Sequence, residues 1–152
     1  MCPPCLGREN MSSVHKRLRR ETELQFMTTA WDLQIRLTEY LMKDKNLPKK
    51  WRLLLGQPLI AKVDELVDNL NFANCIFPNC IEDARLREQY QQKAIANCWQ
   101  LQNKLVRMIE CVNTVKIEKL EIVINLLSDC ELLIKKWRKS DRERNKKLFV
   151  EN

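Results

Sequence analysis

Leu47-Pro48-Lys49-Lys50-Trp51-Arg52-Leu53-Leu54-Leu55-Gly56 joins a helix breaker, a run of positive charge and the opening of a long amphipathic helix. Pro48 restricts Leu47 to extended backbone and has no N–H to donate. A helix arriving from the N-terminal side must therefore stop near Asn46, and another can begin directly after the proline. Lys43, Lys45, Lys49, Lys50 and Arg52 stand around this break against the single acid Asp44. The corner between two helices thus carries an unneutralised basic patch and is a first candidate binding site.

Working outward from the corner, the apolar residues recur at helical spacing on both sides. Phe26, Ala30, Leu33, Leu37 and Tyr40 alternate steps of four and three upstream, and Leu59, Val63, Leu66, Leu70, Ala73 and Phe77 do so downstream. Pro78 marks the next turn. Beyond it, Ala94, Cys98, Leu101, Leu105, Met108 and Val112 define a third helix starting near Glu82, and Leu120, Val123, Leu127, Cys130, Ile134 and Trp137 a fourth. The turns around Leu47, Pro78 and Thr114 are each a few residues long, and short connections place successive helices antiparallel. The expected fold is all-α, an antiparallel up-down-up-down four-helix bundle over residues 21–140. A flexible basic arm is expected over residues 1–20 and a basic tail over residues 141–152.

Composition agrees. The chain has 152 residues, enough for one domain with its own core, and only two glycines, Gly7 and Gly56, which leaves little supply of hairpin turns. Pro58 lies one turn into the second helix, where it leaves the Leu54 carbonyl unpaired. A kink is expected there, or a helix start near Gln57. No apolar run of membrane-spanning length and no apolar signal core are present, so a cytoplasmic protein without membrane contact is expected. Met11-Ser12-Ser13 offers a second translation start, which would make residues 1–10 an extension without a role.

The fourth helix has more apolar residues than one stripe uses. Ile122, Leu126 and Leu133 fall off it, and a helix apolar over so much of its circumference is covered on more than one side. A wide bundle core is one way to cover them; the other, preferred for these three residues, is the subunit interface of a homo-oligomer.

Charge is unevenly placed. The net charge is +7, yet residues 8–20 and 43–52 each carry five basic and one acidic side chain, and residues 135–147 carry eight and two. The remainder is acidic on balance. In the expected bundle, the arm and the end of the fourth helix share one pole and the 43–52 corner the other, on the order of 30 to 40 Å away by helix rise. A polyanion of that length touches both. The candidate phosphate ligands are Lys49, Lys50 and Arg52 at the corner. At the C-terminal end they are Lys135, Lys136, Arg138, Lys139, Arg142, Arg144, Lys146 and Lys147. Such contacts give salt-sensitive, sequence-independent affinity. Trp51 and Trp137 could stack on bases, although tryptophans on helical stripes more often belong to a core.

Catalytic groups are scarce. The one histidine, His15, lies in the basic arm, and no Glu-x-x-His pair, Gly-rich phosphate loop or nucleophile–histidine pattern is present. Asp64, Glu65 and Asp68 read as a solvated face, and Glu82 and Asp83 as the first turn of a helix. Seven cysteines occur. Cys98 and Cys130 lie on apolar stripes, as small hydrophobes do. Cys2-Pro3-Pro4-Cys5 has ligand spacing but lacks the second pair that a closed zinc site requires, and Cys75 and Cys80 are spaced more widely. Neither an enzyme nor a cofactor is expected.

From about Leu24 to Ser140 the chain resembles a four-helix-bundle family. That family contains the accessory variability proteins of diversity-generating retroelements and the proteins encoded in ribosomal RNA intervening sequences. The resemblance is carried by Leu47-Pro48-Lys49-Lys50-Trp51-Arg52 with Leu55-Gly56, by Glu65-Leu66-Val67-Asp68-Asn69-Leu70-Asn71-Phe72-Ala73-Asn74, and by Leu133-Ile134-Lys135-Lys136-Trp137-Arg138-Lys139-Ser140. It implies a homopentameric barrel with a basic surface that associates with a reverse transcriptase and its template RNA, or an RNA/DNA hybrid, during mutagenic cDNA synthesis. The Cys-containing N-terminus departs from the family pattern, so nothing is carried over to residues 1–20. Two other readings stand beside it: an intervening-sequence-type protein without a reverse transcriptase partner, and a helical adaptor for an acidic protein.

Overall fold

The computed structural model describes residues 24–150, which are helical and contain no strand. The long helices are α1 (Gln25–Met42), α2 (Gln57–Cys75), α3 (Ile81–Cys111) and α4 (Ile117–Arg144), followed by the short α5 (Lys146–Val150). A helical turn at Lys49–Trp51 and a π-helical turn at Arg52–Gly56 lead directly into α2.

The corner forms as its residues dictate. α1 ends at Met42, and Asn46, itself buried, donates from its side-chain amide to the Tyr40 carbonyl at 3.0 Å. The Lys43 N–H reaches the same carbonyl at 3.4 Å, so the side chain reinforces the helix end. Pro48 precedes the first helical turn, as its fixed φ and missing N–H favour. Pro58 has the effect expected of a ring one turn into a helix, by a specific device. The Gln57 N–H reaches back to the Arg52 carbonyl, and the widened π turn accommodates the missing donor without breaking the helix. Gly56 closes this turn under the buried Leu47, where a β-carbon would stand 3.2 Å from Leu47 Cδ2.

All four apolar stripes face a single core. Leu33, Leu37, Leu59, Leu66, Leu70, Leu101, Leu120 and Leu127 are almost wholly removed from solvent, and burial of each contributes about 1.5 to 3 kcal/mol. The exception is Phe77, expected to extend the α2 stripe but 76% exposed. Pro78 disfavours helical backbone at Phe77, so α2 stops at Cys75 and Ile76 is already extended. The Ile76 carbonyl instead accepts a hydrogen bond from Arg87 Nη1 at 2.7 Å.

Contacts between helices recur along the molecule. Gln34 on α1 donates to Asp64 on α2 at 2.7 Å, Phe72 on α2 lies against Tyr90 on α3 at 5.3 Å, and Trp99 on α3 donates to Glu131 on α4 at 2.7 Å. At one end Phe26 stacks on Trp137, ring centroids 4.0 Å apart. At the corner the Thr114 hydroxyl donates to the Asn46 carbonyl at 3.0 Å.

The stretch from residue 141, read from sequence as a tail, continues α4 to Arg144 and then forms α5. Asp141 explains this. It is buried and accepts from Arg87 Nε and Gln91 Nε2, both at 2.6 Å. The expected arm, with Cys2, Cys5 and His15, lies outside the described residues. No helix among the described residues is long and apolar enough to cross a membrane.

Candidate nucleic-acid interface

The basic residues fall into two groups, those engaged within the fold and those left to solvent. At the corner, Arg52 is engaged: its Nη2 donates to the Met42 carbonyl at 2.7 Å and to Asp44 Oδ1 at 2.5 Å. It clamps the end of α1 onto the opening of α2. Lys49 and Lys50 are exposed on the first turn, and neither has an ion pair among the described residues; Lys50 Nζ sits 5.6 Å from the Trp51 ring centre. Lys43 and Lys45 are exposed beside them.

At the C-terminal end of α4, the neutralisation is more extensive. Arg138 and Arg142 both donate to Glu88 Oε1 of α3, Arg138 Nε at 3.1 Å. Arg144 pairs with Asp141 at 3.1 Å, Lys146 with Glu143, and Lys135 with Glu131. Lys136, Lys139 and Lys147 are exposed without an ion pair among the described residues. Of the eleven residues proposed from sequence as phosphate ligands, five have no ion pair among the described residues: Lys49, Lys50, Lys136, Lys139 and Lys147.

Trp137 is not free to stack on a base. One face lies on Phe26, and the Arg87 guanidinium stands 5.0 Å from its ring centre. Trp51 is half-buried against the core. The exposed tryptophans are Trp31 and Trp99, which the stripe reading passed over. Trp99 is held in place: its indole N–H donates to Glu131, and Lys135 Nζ lies 5.6 Å from the ring centre. Gln102 donates to the other Glu131 oxygen at 3.1 Å. Burial pushes the Glu131 carboxyl up, but hydrogen bonds from Lys135, Trp99 and Gln102 outweigh it and hold the group below its ordinary value. The signal for Trp99 was present in the sequence, since it sits one residue past Cys98 and therefore off the apolar stripe.

The three residues expected at a subunit interface are divided by the fold. Ile122 is 63% exposed, whereas Leu126 and Leu133 are half-buried against the chain's own core, which accounts for part of the apolar excess on α4. A larger apolar feature lies elsewhere. A groove of about 370 Å³ between α1 and the opening of α2 is lined by Thr38, Leu41, Met42, Gly56, Ile60 and Ala61. Met42 is itself exposed, as are Leu53 and Leu54 on the π turn.

Among the described residues no group of His, Cys, Asp or Glu side chains converges as a metal site. Comparison with protein-family models, with curated proteins and with solved structures finds no match to this chain.

Proposed function

We propose that this chain is a non-catalytic helical-bundle protein that binds the phosphate backbone of RNA. By the family resemblance, we propose that it serves as an accessory subunit of a diversity-generating retroelement reverse transcriptase. The observation that carries the nucleic-acid reading is the distribution of unpaired lysines. Lys49 and Lys50 stand at the corner and Lys136 and Lys139 at the end of α4, although acids are numerous elsewhere on the surface. Arg85, Lys93, Lys104, Arg107, Lys116 and Lys119 are also without an ion pair among the described residues, but Lys43, Lys45, Lys49 and Lys50 crowd into one corner. Such clustering suits a polyanionic ligand better than solubility alone, which a mixed surface would serve.

The antiparallel arrangement belongs to this reading and draws support from paired contacts. Phe72 meets Tyr90 across α2 and α3. Arg87 meets Asp141 and Trp99 meets Glu131 across α3 and α4, so that later residues of one helix meet earlier ones of the next. With that topology the two lysine groups lie at opposite poles. Assembly into a closed, pentameric barrel is proposed on the resemblance, with exposed Ile122 as one contact residue. The apolar groove beside the corner, with exposed Leu53 and Leu54, suits a protein partner such as the polymerase. A cytoplasmic setting follows from such a partnership.

The test is direct. Purified protein should retard RNA on a native gel, and salt should abolish the shift. A reverse transcriptase gene and a pair of near-identical repeats beside its own gene support the accessory role; their absence, with RNA binding retained, supports an intervening-sequence-type protein. Light scattering should give a closed oligomer of five subunits, and a monomer at micromolar concentration would contradict the barrel.

A further inference from the structure

We propose that Trp99 is a stacking platform for an unpaired base of single-stranded nucleic acid, with one face of α4 holding the adjoining phosphates. This rests on the nucleic-acid reading above and narrows its ligand to single strands. Three observations carry it. Trp99 is 52% exposed, and Trp31 46%, in a fold that packs Trp51 and Trp137 against its core. The ring is also oriented before any ligand arrives, because its N–H is fixed on Glu131 at 2.7 Å and Glu131 is in turn held by Gln102 and Lys135. A side chain already ordered loses little freedom on binding.

The third observation is the setting of the ring. Lys135 Nζ lies over one face of the ring, 5.6 Å from its centre, so a base would take the opposite face. Lys135 opens the series Lys135, Arg138, Lys139, Arg142 at i, i+3, i+4 and i+7, which is one face of α4. On that face Lys139 has no ion pair among the described residues, and phosphates would displace Glu131 from Lys135 and Glu88 from the two arginines. Successive turns of this face are about 5.4 Å apart, close enough for neighbouring phosphates of one strand to meet neighbouring turns. An aromatic anchor for a protein partner sits in the charge-depleted centre of an interface. Trp99 instead sits among a carboxylate, an amide and an ammonium. A duplex conceals its base faces, whereas an unpaired base presents a π-face to an aromatic ring whatever its identity. The expected ligand is therefore single-stranded and weakly sequence-dependent.

The experiment measures binding of the full chain to two probes, a fluorescently labelled oligouridylate and a blunt RNA duplex of the same length. The variants are Trp99→Leu, which keeps apolar bulk without a π-face, and Trp99→Phe, which keeps a π-face without the indole N–H. Trp99→Leu should weaken oligouridylate binding by roughly ten- to a hundredfold, leave duplex binding unchanged, and abolish the quenching of tryptophan emission by oligouridylate. Trp99→Phe should retain most of the single-strand affinity. Unchanged oligouridylate affinity in Trp99→Leu overturns the proposal and points to a protein partner for this surface, as does an equal loss on both probes. If the unsubstituted protein binds neither probe, the nucleic-acid reading itself fails and this proposal with it.

Discussion

Glu88 on α3 accepts a hydrogen bond from Arg138 on α4 at 3.1 Å, and the same carboxylate oxygen also holds Arg142. One acid thus neutralises part of the C-terminal cluster from within the fold, in the position that a phosphate oxygen of a bound strand would occupy. On the proposed reading, a bound strand would compete with Glu88 for the same two guanidinium groups, and the fold would lower the affinity of its own basic face.

Replacing Glu88 with Gln should therefore strengthen RNA binding severalfold at low salt. Glu121→Gln, the same charge change at an exposed site on α4, is the control and should give a smaller gain. Fluorescence anisotropy of labelled RNA measures both; equal gains would mean that only net charge matters.

The Arg87–Asp141 pair tests what holds the end of α4. Both side chains are largely buried, Arg87 at 12% and Asp141 at 9% exposure, and removal of one partner leaves the other charge without compensation. Asp141→Ala is expected to cost about 3 to 5 kcal/mol in urea denaturation. A loss below about 1 kcal/mol would place the pair with ordinary surface ion pairs.

Cys98 and Cys130 lie wholly inside the core, while Cys75, Cys80 and Cys111 are exposed. The hydrogen bond to Cys130 and burial push the Cys98 thiol far up, so almost no reactive thiolate forms at neutral pH. Brief alkylation followed by peptide mass spectrometry should mark Cys75, Cys80 and Cys111 and spare Cys98 and Cys130 until urea is added. Modification of Cys98 in the folded protein at the rate of Cys111 would contradict this packing.

These outcomes bear on what was legible in the sequence. Periodicity placed the four stripes because a stripe is a property of one helix, and Leu33, Leu66, Leu101 and Leu127 are buried as it requires. Pro48 and Pro58 were legible because proline acts on its own backbone, although the π-helical form of the second effect depends on how Arg52–Gly56 relaxes. The site was harder to read. Charge counting cannot distinguish Lys136, which has no ion pair among the described residues, from Arg138, which Glu88 occupies from 50 positions away in the chain. Leu126 and Leu133 looked surplus on α4 because the width of the core depends on neighbouring helices and not on α4 alone. Trp99 was missed because the stripe directs attention to buried positions.

Glu131 gives a pH test with a definite sign. Its carboxyl is held below the ordinary value in the fold, so ionised Glu131 adds stability above the unfolded-state pKa, and that contribution is lost as pH falls through the lower folded value. Glu131→Gln should therefore reduce the difference in stability between neutral and acidic pH, read by thermal unfolding. An identical pH profile in the variant would remove Glu131 as the anchor of Trp99.

The most direct test of the central claim is RNA affinity measured from low to physiological salt. It compares the unsubstituted protein with Lys49→Gln/Lys50→Gln and with Lys136→Gln/Lys139→Gln. All four lysines are exposed, so circular dichroism should find the helices unchanged. If they hold phosphates, affinity falls steeply with salt. Each pair of substitutions then flattens the plot of log affinity against log salt by about 0.7 for every phosphate of a single strand that is no longer neutralised, and multivalency in an oligomer enlarges the drop in affinity. Unchanged affinity and unchanged slope in both variants would contradict the account and return the positive charge to solubility or to a protein partner.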